Sequence, residues 1–166
     1  MEAKVYSSAE FIEKASGITK RHVIDREGVL NPERMYGSVS DDDMGDMETP
    51  SLTAKWALKA AEEALAAAGK TGADVDYVIS AAALQQRYFP AVSIEIQKFL
   101  DAEGTAMDLT MACSSATFGM LTAYDALIAG SAKCVLVVNP EFFSTMTNYK
   151  DRDSHFIFGD ICTAVV

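Results

Sequence analysis

Short apolar runs alternate with helix-forming stretches along most of this chain, and that alternation constrains its fold more than any other feature. Asp76 to Ala83, Thr105 to Met111, Lys133 to Asn139 and Ile161 to Val166 each read as a strand too continuously apolar to keep one face wet. Between Ser51 and Ala68, residues Ala54, Ala57, Leu58, Ala61, Leu65 and Ala68 recur at helical spacing, and Gly69 stops the run. Pro90 opens an amphipathic helix carrying Val92, Ile94, Ile96, Phe99 and Leu100, and a further helix ends near Gly130. This pattern predicts an α/β fold, a mainly parallel mixed sheet covered by helices on both sides.

Ahead of these elements, Ser7 or Ser8 is placed to cap a short helix from Ala9 to Ser16, stopped by Gly17. Residues 26–48 are polar, with Asn31-Pro32 and an acidic run from Asp41, and read as an exposed mobile loop. The lone Trp56 reads as a packing residue on the alanine-rich helix, as do Phe118 and Met120 further on. The chain starts on a polar segment and stops inside a predicted strand, so a piece of a larger fold is expected.

The 166 residues are 49% hydrophobic, enough for one ordinary core, and carry a net charge of −10 without a Lys/Arg cluster. That balance argues against a nucleic-acid partner. No metal-type spacing links the three cysteines, and no run is long enough to span a bilayer. The start, Met1 to Tyr6, has no signal-type apolar region, so a cytoplasmic location without a membrane partner, metal or cofactor is expected.

Cys113 stands out by position. It falls where the strand from Thr105 gives way to the helix that ends near Gly130, so its thiol meets the free N–H groups and positive dipole end of a helix start. Both favour thiolate over thiol. Ala112, Ser114, Ser115 and Ala116 are small and leave room for a substrate carbonyl. Cys134 and Cys162 sit inside apolar runs and read as buried core thiols.

With these residues in view, Asp108–Gly119 resembles the nucleophile region of the β-ketoacyl-acyl carrier protein synthase III family, on the thiolase-like fold. Three more segments are similar in order and spacing. Phe11 to Ile18 resembles the family's early helix and "TGI" turn. Tyr88-Phe89-Pro90-Ala91 with Glu95-Ile96-Gln97 resembles its "FPS…QIQ" helix, and Asp151 to Asp160 its "DR…FGD" segment. The stretches Ser114 to Gly119 and Arg152 to Phe156 look like those of the branch that makes β-ketodecanoyl-acyl carrier protein.

The resemblance implies one half of a duplicated fold, with residues 1–166 as the N-terminal half and the C-terminal half absent. It implies an acyltransferase of fatty acid synthesis, with acyl-coenzyme A as substrate, acyl carrier protein as partner, and a homodimer. Cys113 then takes an acyl group, and decarboxylative Claisen condensation with malonyl-acyl carrier protein follows. The family's second half supplies a His and an Asn for that step; neither His22 nor His155 matches the His. Arg152 matches a coenzyme A contact, with a loop ion pair to Asp151 or Asp153 as the alternative. A stacking tryptophan aligns with Phe11, which offers a ring for stacking, and a second arginine contact aligns with Ala15, so one charge is lost and another thioester stays open as an alternative to coenzyme A. Phe89 matches an aromatic that crosses the dimer interface to line the partner's acyl pocket, with an ordinary core aromatic as the alternative, and Ser114 borders the acyl passage. Polyketide, quinolone or hydroxymethylglutaryl chemistry on the same cysteine, and a non-catalytic half-domain scaffold, stay open as alternatives.

Overall fold

Ser8 caps the first helix, α1 (Ala9–Ser16), by accepting the Phe11 amide at 3.1 Å, and Gly17 ends it in the left-handed conformation at φ 73°. The computed structural model describes residues 6–166, so the reading of the polar start at residues 1–5 lies outside it, as do the side chains of Asp41 and Asp42. Two units make up the chain: residues up to Ser40 with Phe142–Ile161, and Asp41–Glu141 with Cys162–Val166.

In the first unit, the stretch read as a loop contains a five-residue helix, α2 (Arg26–Leu30). It is too short and polar to carry an apolar period, which is why periodicity missed it. Asp25 caps it through the Gly28 amide at 2.8 Å and pairs with Arg34 at 2.5 Å. The Gly28 amide above all, with the Ser38 amide and Arg34, outweighs desolvation and holds the Asp25 carboxyl below the usual range. Asp160 ties the unit together. Its carboxylate accepts the Ile24 amide at 2.7 Å and the Ser144 amide at 2.8 Å, and its own amide donates to the His22 carbonyl.

The second unit holds most of the secondary structure. Helix α3 (Leu52–Ala68) leads to strand β1 (Tyr77–Ala81), helix α4 (Val92–Phe99), strand β2 (Thr105–Leu109) and helix α5 (Ser115–Ala129), and most of strands β3 (Val135–Phe142) and β4 (Asp160–Val165) belong here too. The sheet order is β2-β1-β3-β4. Strand β1 runs parallel to both neighbours, with Tyr77 opposite Thr105 on one side and Val135 on the other. Parallel neighbours need crossovers, and the helices supply them.

Side-chain alternation splits the core into two faces. Val78, Leu136 and Val138 pack with Ala57, Ala61 and Leu65 of α3 and Val92 and Ile96 of α4. On the opposite face, Ile79, Ala81, Val135 and Val137 pack with Ala123 and Ala126 of α5. Helices therefore cover both faces of the two central strands, as the sequence predicts.

Gly119 sets how closely α5 sits on the sheet. A Cβ there would lie 2.7 Å from the Ala81 Cβ and 3.1 Å from a Val137 methyl. Alanine forms helix better than glycine by about 1 kcal/mol, yet Gly119→Ala is expected to destabilise by about 1–3 kcal/mol through overpacking. A urea midpoint that stays put or rises would contradict this seating.

Several packing expectations need correction. In α4, Ile94 is exposed while Ser93 and Glu95 are buried, the reverse of the apolar reading. Polar partners explain it, because Glu95 is claimed by an arginine and a serine described below. Trp56 is 42% exposed and lies under the Lys59 ammonium rather than in the core. Phe118 and Met120 are exposed as well, together with Leu121, Tyr124, Leu127 and Ile128. Helix α5 is strongly apolar, with Asp125 its single charge, its buried positions are all small (Ser115, Gly119, Ala123, Ala126), and Gly119, Ala123 and Ala126 pack against the sheet.

Candidate active site

Strand β2 ends at Leu109, and the chain reverses into α5 through a turn with Cys113 at its exposed tip. Ala112 holds a left-handed backbone at φ 49°, a conformation rarely adopted by a residue with a Cβ. The buried Ser115 hydroxyl ties the turn, donating to the Ala112 carbonyl at 2.7 Å and accepting the Met111 amide at 2.8 Å. The Ser114 and Ser115 amides donate to the Met111 and Ala112 carbonyls at 3.1 Å. The helix opens at Ser115 with Ser114 as its cap residue, so Cys113 stands just ahead of the first turn rather than within it. The thiol is exposed next to the positive helix end.

The other two thiols are handicapped. Burial pushes the Cys134 thiol up and the Cys162 thiol up to about 12. Cys113 is therefore expected to take up iodoacetamide at least about tenfold faster than either under native conditions. Equal labelling of Cys134, read by peptide mass spectrometry, would contradict this.

Phe89 lies on the connection from β1 to α4. It is 85% exposed, with Tyr88 at 90%, so it is not a core aromatic. In the first unit, the Arg152 guanidinium lies 4.3 Å from the Phe11 ring centroid, and Phe156 meets the same ring edge-on at 6.3 Å. Arg152 Nε donates to the Tyr6 carbonyl at 3.1 Å, while its ion pair with Asp153, at 3.8 Å and well exposed, contributes little. The structure thus brings Phe11 and Arg152 together as a cation–π stack, and places Ser114 next to Cys113 in the chain.

Sequence reasoning missed a group of polar residues around the β1–α4 connection: Arg87, Glu95, Asp108 and Glu141. Asp108 of β2 accepts the Val92 and Ser93 amides at 3.0 and 2.8 Å and so supplies the cap that Ala91 cannot. Glu141, near the end of β3, accepts the Ala83 amide at 2.6 Å, and burial raises its pKa. A charged residue inside an apolar pattern, Glu95 between Ile94 and Ile96, was the one available signal. Among the described residues, no group of three or more His, Cys, Asp or Glu side chains is placed to hold a metal, and no helix is long and apolar enough to cross a membrane.

Comparison with known proteins bears on this turn directly. The family described as 3-oxoacyl-[acyl-carrier-protein (ACP)] synthase III matches residues 107–166, which include Cys113. A β-ketodecanoyl-[acyl-carrier-protein] synthase from Pseudomonas aeruginosa is 46% identical over 166 residues, 100% of this chain and 47% of that protein. The crystal structure of 3-oxoacyl-[acyl-carrier-protein] synthase III from Aquifex aeolicus superimposes with a TM-score of 0.75 at 28% identity, over 97% of this chain and 45% of that one. The priming β-ketosynthase of the R1128 polyketide pathway does so with a TM-score of 0.77 at 25% identity, over 97% of this chain and 42% of that one. The chain spans about half the length of the relatives it matches. Its fold is the α/β, thiolase-like one, over about half of that fold. Over the part it spans, the chain is similar to 3-oxoacyl-[acyl-carrier-protein] synthase III proteins.

Proposed function

We propose that this chain is the nucleophile-bearing half of a cytoplasmic condensing enzyme of fatty acid synthesis. The exposed Cys113, held by Ser115 at the start of α5, carries the reading. Its sulfur attacks the carbonyl of an acyl-coenzyme A; a new thioester bond forms and coenzyme A leaves as thiolate, taking up the proton. Malonyl-acyl carrier protein then loses carbon dioxide, its enolate carbon attacks the acyl carbonyl, and the Cys113 thiolate departs. The developing oxyanions need donors, and a His and an Asn of a second half supply them.

The ten-carbon product in the name of the Pseudomonas aeruginosa relative narrows the substrate. Decarboxylative condensation adds two carbons, so the primer is octanoyl-coenzyme A. Phe11 and Arg152 provide a flat, cationic seat for the nucleotide once the base displaces one face of their stack. The exposed apolar side of α5, with Leu121, Tyr124, Leu127 and Ile128, supports a second half and a homodimeric partner as its cover.

The test is product analysis. The chain supplied with the second half should turn octanoyl-coenzyme A and malonyl-acyl carrier protein into β-ketodecanoyl-acyl carrier protein, with one carbon dioxide and one coenzyme A released. Carbon dioxide release without a new carbon–carbon bond would refute the reading.

A further inference from the structure

The connection from β1 to α4 is held far more firmly than an exposed loop needs to be. Arg87 reaches across its own turn: Nε donates to the Pro90 carbonyl at 3.1 Å, closing a ring of contacts around Tyr88 and Phe89. One terminal nitrogen of the same fork donates to the Gly45 carbonyl at 3.3 Å, and the other pairs with Glu95 at 2.8 Å. Glu95 is completely buried, and its two oxygens accept the Ser51 amide at 2.9 Å and the Ser51 hydroxyl at 2.8 Å. Next in line, the Gln86 side chain accepts from the Thr53 amide and hydroxyl and donates to the Asp43 carbonyl. The Asp108 carboxylate fixes the far end through the Val92 and Ser93 amides. Everything around the turn is anchored, while Tyr88 and Phe89 stand out into solvent.

We propose that Arg87 and Glu95 are positioning residues that set the acyl length this enzyme accepts, by holding the Tyr88–Phe89 turn in a single orientation. The inference rests on the condensing-enzyme reading, in which Phe89 closes the far end of an acyl pocket in a second copy of the chain. A wall that stops an acyl chain must not yield when a longer chain presses on it. A buried ion pair on one side and a backbone-bonded guanidinium fork on the other supply that stiffness. Only arginine has the planar fork to hydrogen-bond the Pro90 and Gly45 carbonyls while its remaining nitrogen stands against Glu95 as an ion pair; lysine can meet Glu95 but not all three.

Two variants separate positioning from mere stability. R87K keeps the charge pair and loses the fork; R87M/E95Q removes both charges and keeps an acceptor for Ser51. Acylation of Cys113 in the full chain is followed by intact mass across a butyryl- to dodecanoyl-coenzyme A series. In both variants the octanoyl-to-dodecanoyl rate ratio is expected to fall about tenfold, with the butyryl rate within about twofold of the unsubstituted chain and R87K melting near it. F89A should give the same shift with the ion pair intact. Unchanged selectivity in R87K and R87M/E95Q overturns the proposal. Absence of any acylation in the unsubstituted chain instead overturns the condensing-enzyme reading and takes this inference with it.

Discussion

Glu95→Ala is expected to lower stability by about 3–5 kcal/mol, the usual cost of removing one member of a buried ion pair. For a chain of this size that corresponds to a fall of about 10 °C in melting temperature. The reason lies in what is left behind. Arg87, 11% exposed, would keep its charge without the carboxylate 2.8 Å away. The buried Ser51 amide and hydroxyl would lose their acceptors at the cap of α3, which orders the first turn of the longest helix. Replacing both partners should cost less, because no charge is stranded: about 1–2 kcal/mol for R87M/E95Q, from the lost hydrogen bonds. Thermal and urea unfolding of the two variants side by side measure the difference. A double variant less stable than Glu95→Ala would contradict the account of this pair.

Condensation is expected to be at least about 10,000-fold slower in the 166-residue chain alone than in the same chain joined by a second half. Each missing oxyanion donor costs about 100- to 1,000-fold, and two are needed for the decarboxylation and attack steps. Neither His22 nor His155 matches the histidine that the family resemblance implies, and His155 Nδ1 is engaged by the Asp151 and Arg152 carbonyls at 3.1 and 3.0 Å. Release of labelled carbon dioxide from malonyl-acyl carrier protein measures the rate. Brisk, malonyl-dependent product from the chain alone would mean that its own residues supply the donors.

Local signals were legible because they are local. Ser8, Gly17, Gly69 and Gly130 bound their helices where cap chemistry says they should. The continuous apolar runs became the central strands, since a strand covered on both faces has no polar side to show. The place of Cys113 was legible for a similar reason: it follows the end of one strand and precedes the start of one helix, both set by local pattern.

What stayed hidden depends on polar partners and close packing that no apolar pattern announces. Ile94 looked buried until Arg87, and Ser51 44 residues from Glu95, gave the Glu95 carboxylate a reason to turn inward. The orientation of α5 was equally obscure. A helix this rich in apolar residues offers little period to read, and its sheet-facing line is decided by the closeness that Gly119 permits. Helix α2 depends on Asp25 and its bonds to the Gly28 amide and Arg34, which no apolar pattern announces.

The central claim is that Cys113 is an acyl-accepting nucleophile, and intact-mass spectrometry of the native chain after incubation with octanoyl-coenzyme A tests it most directly. The account predicts a single octanoyl adduct, mapped to Cys113 and absent from Cys113→Ala, while Cys134 and Cys162 stay unmodified. An adduct that survives Cys113→Ala, or a folded chain that takes up no acyl group of any length, would contradict it.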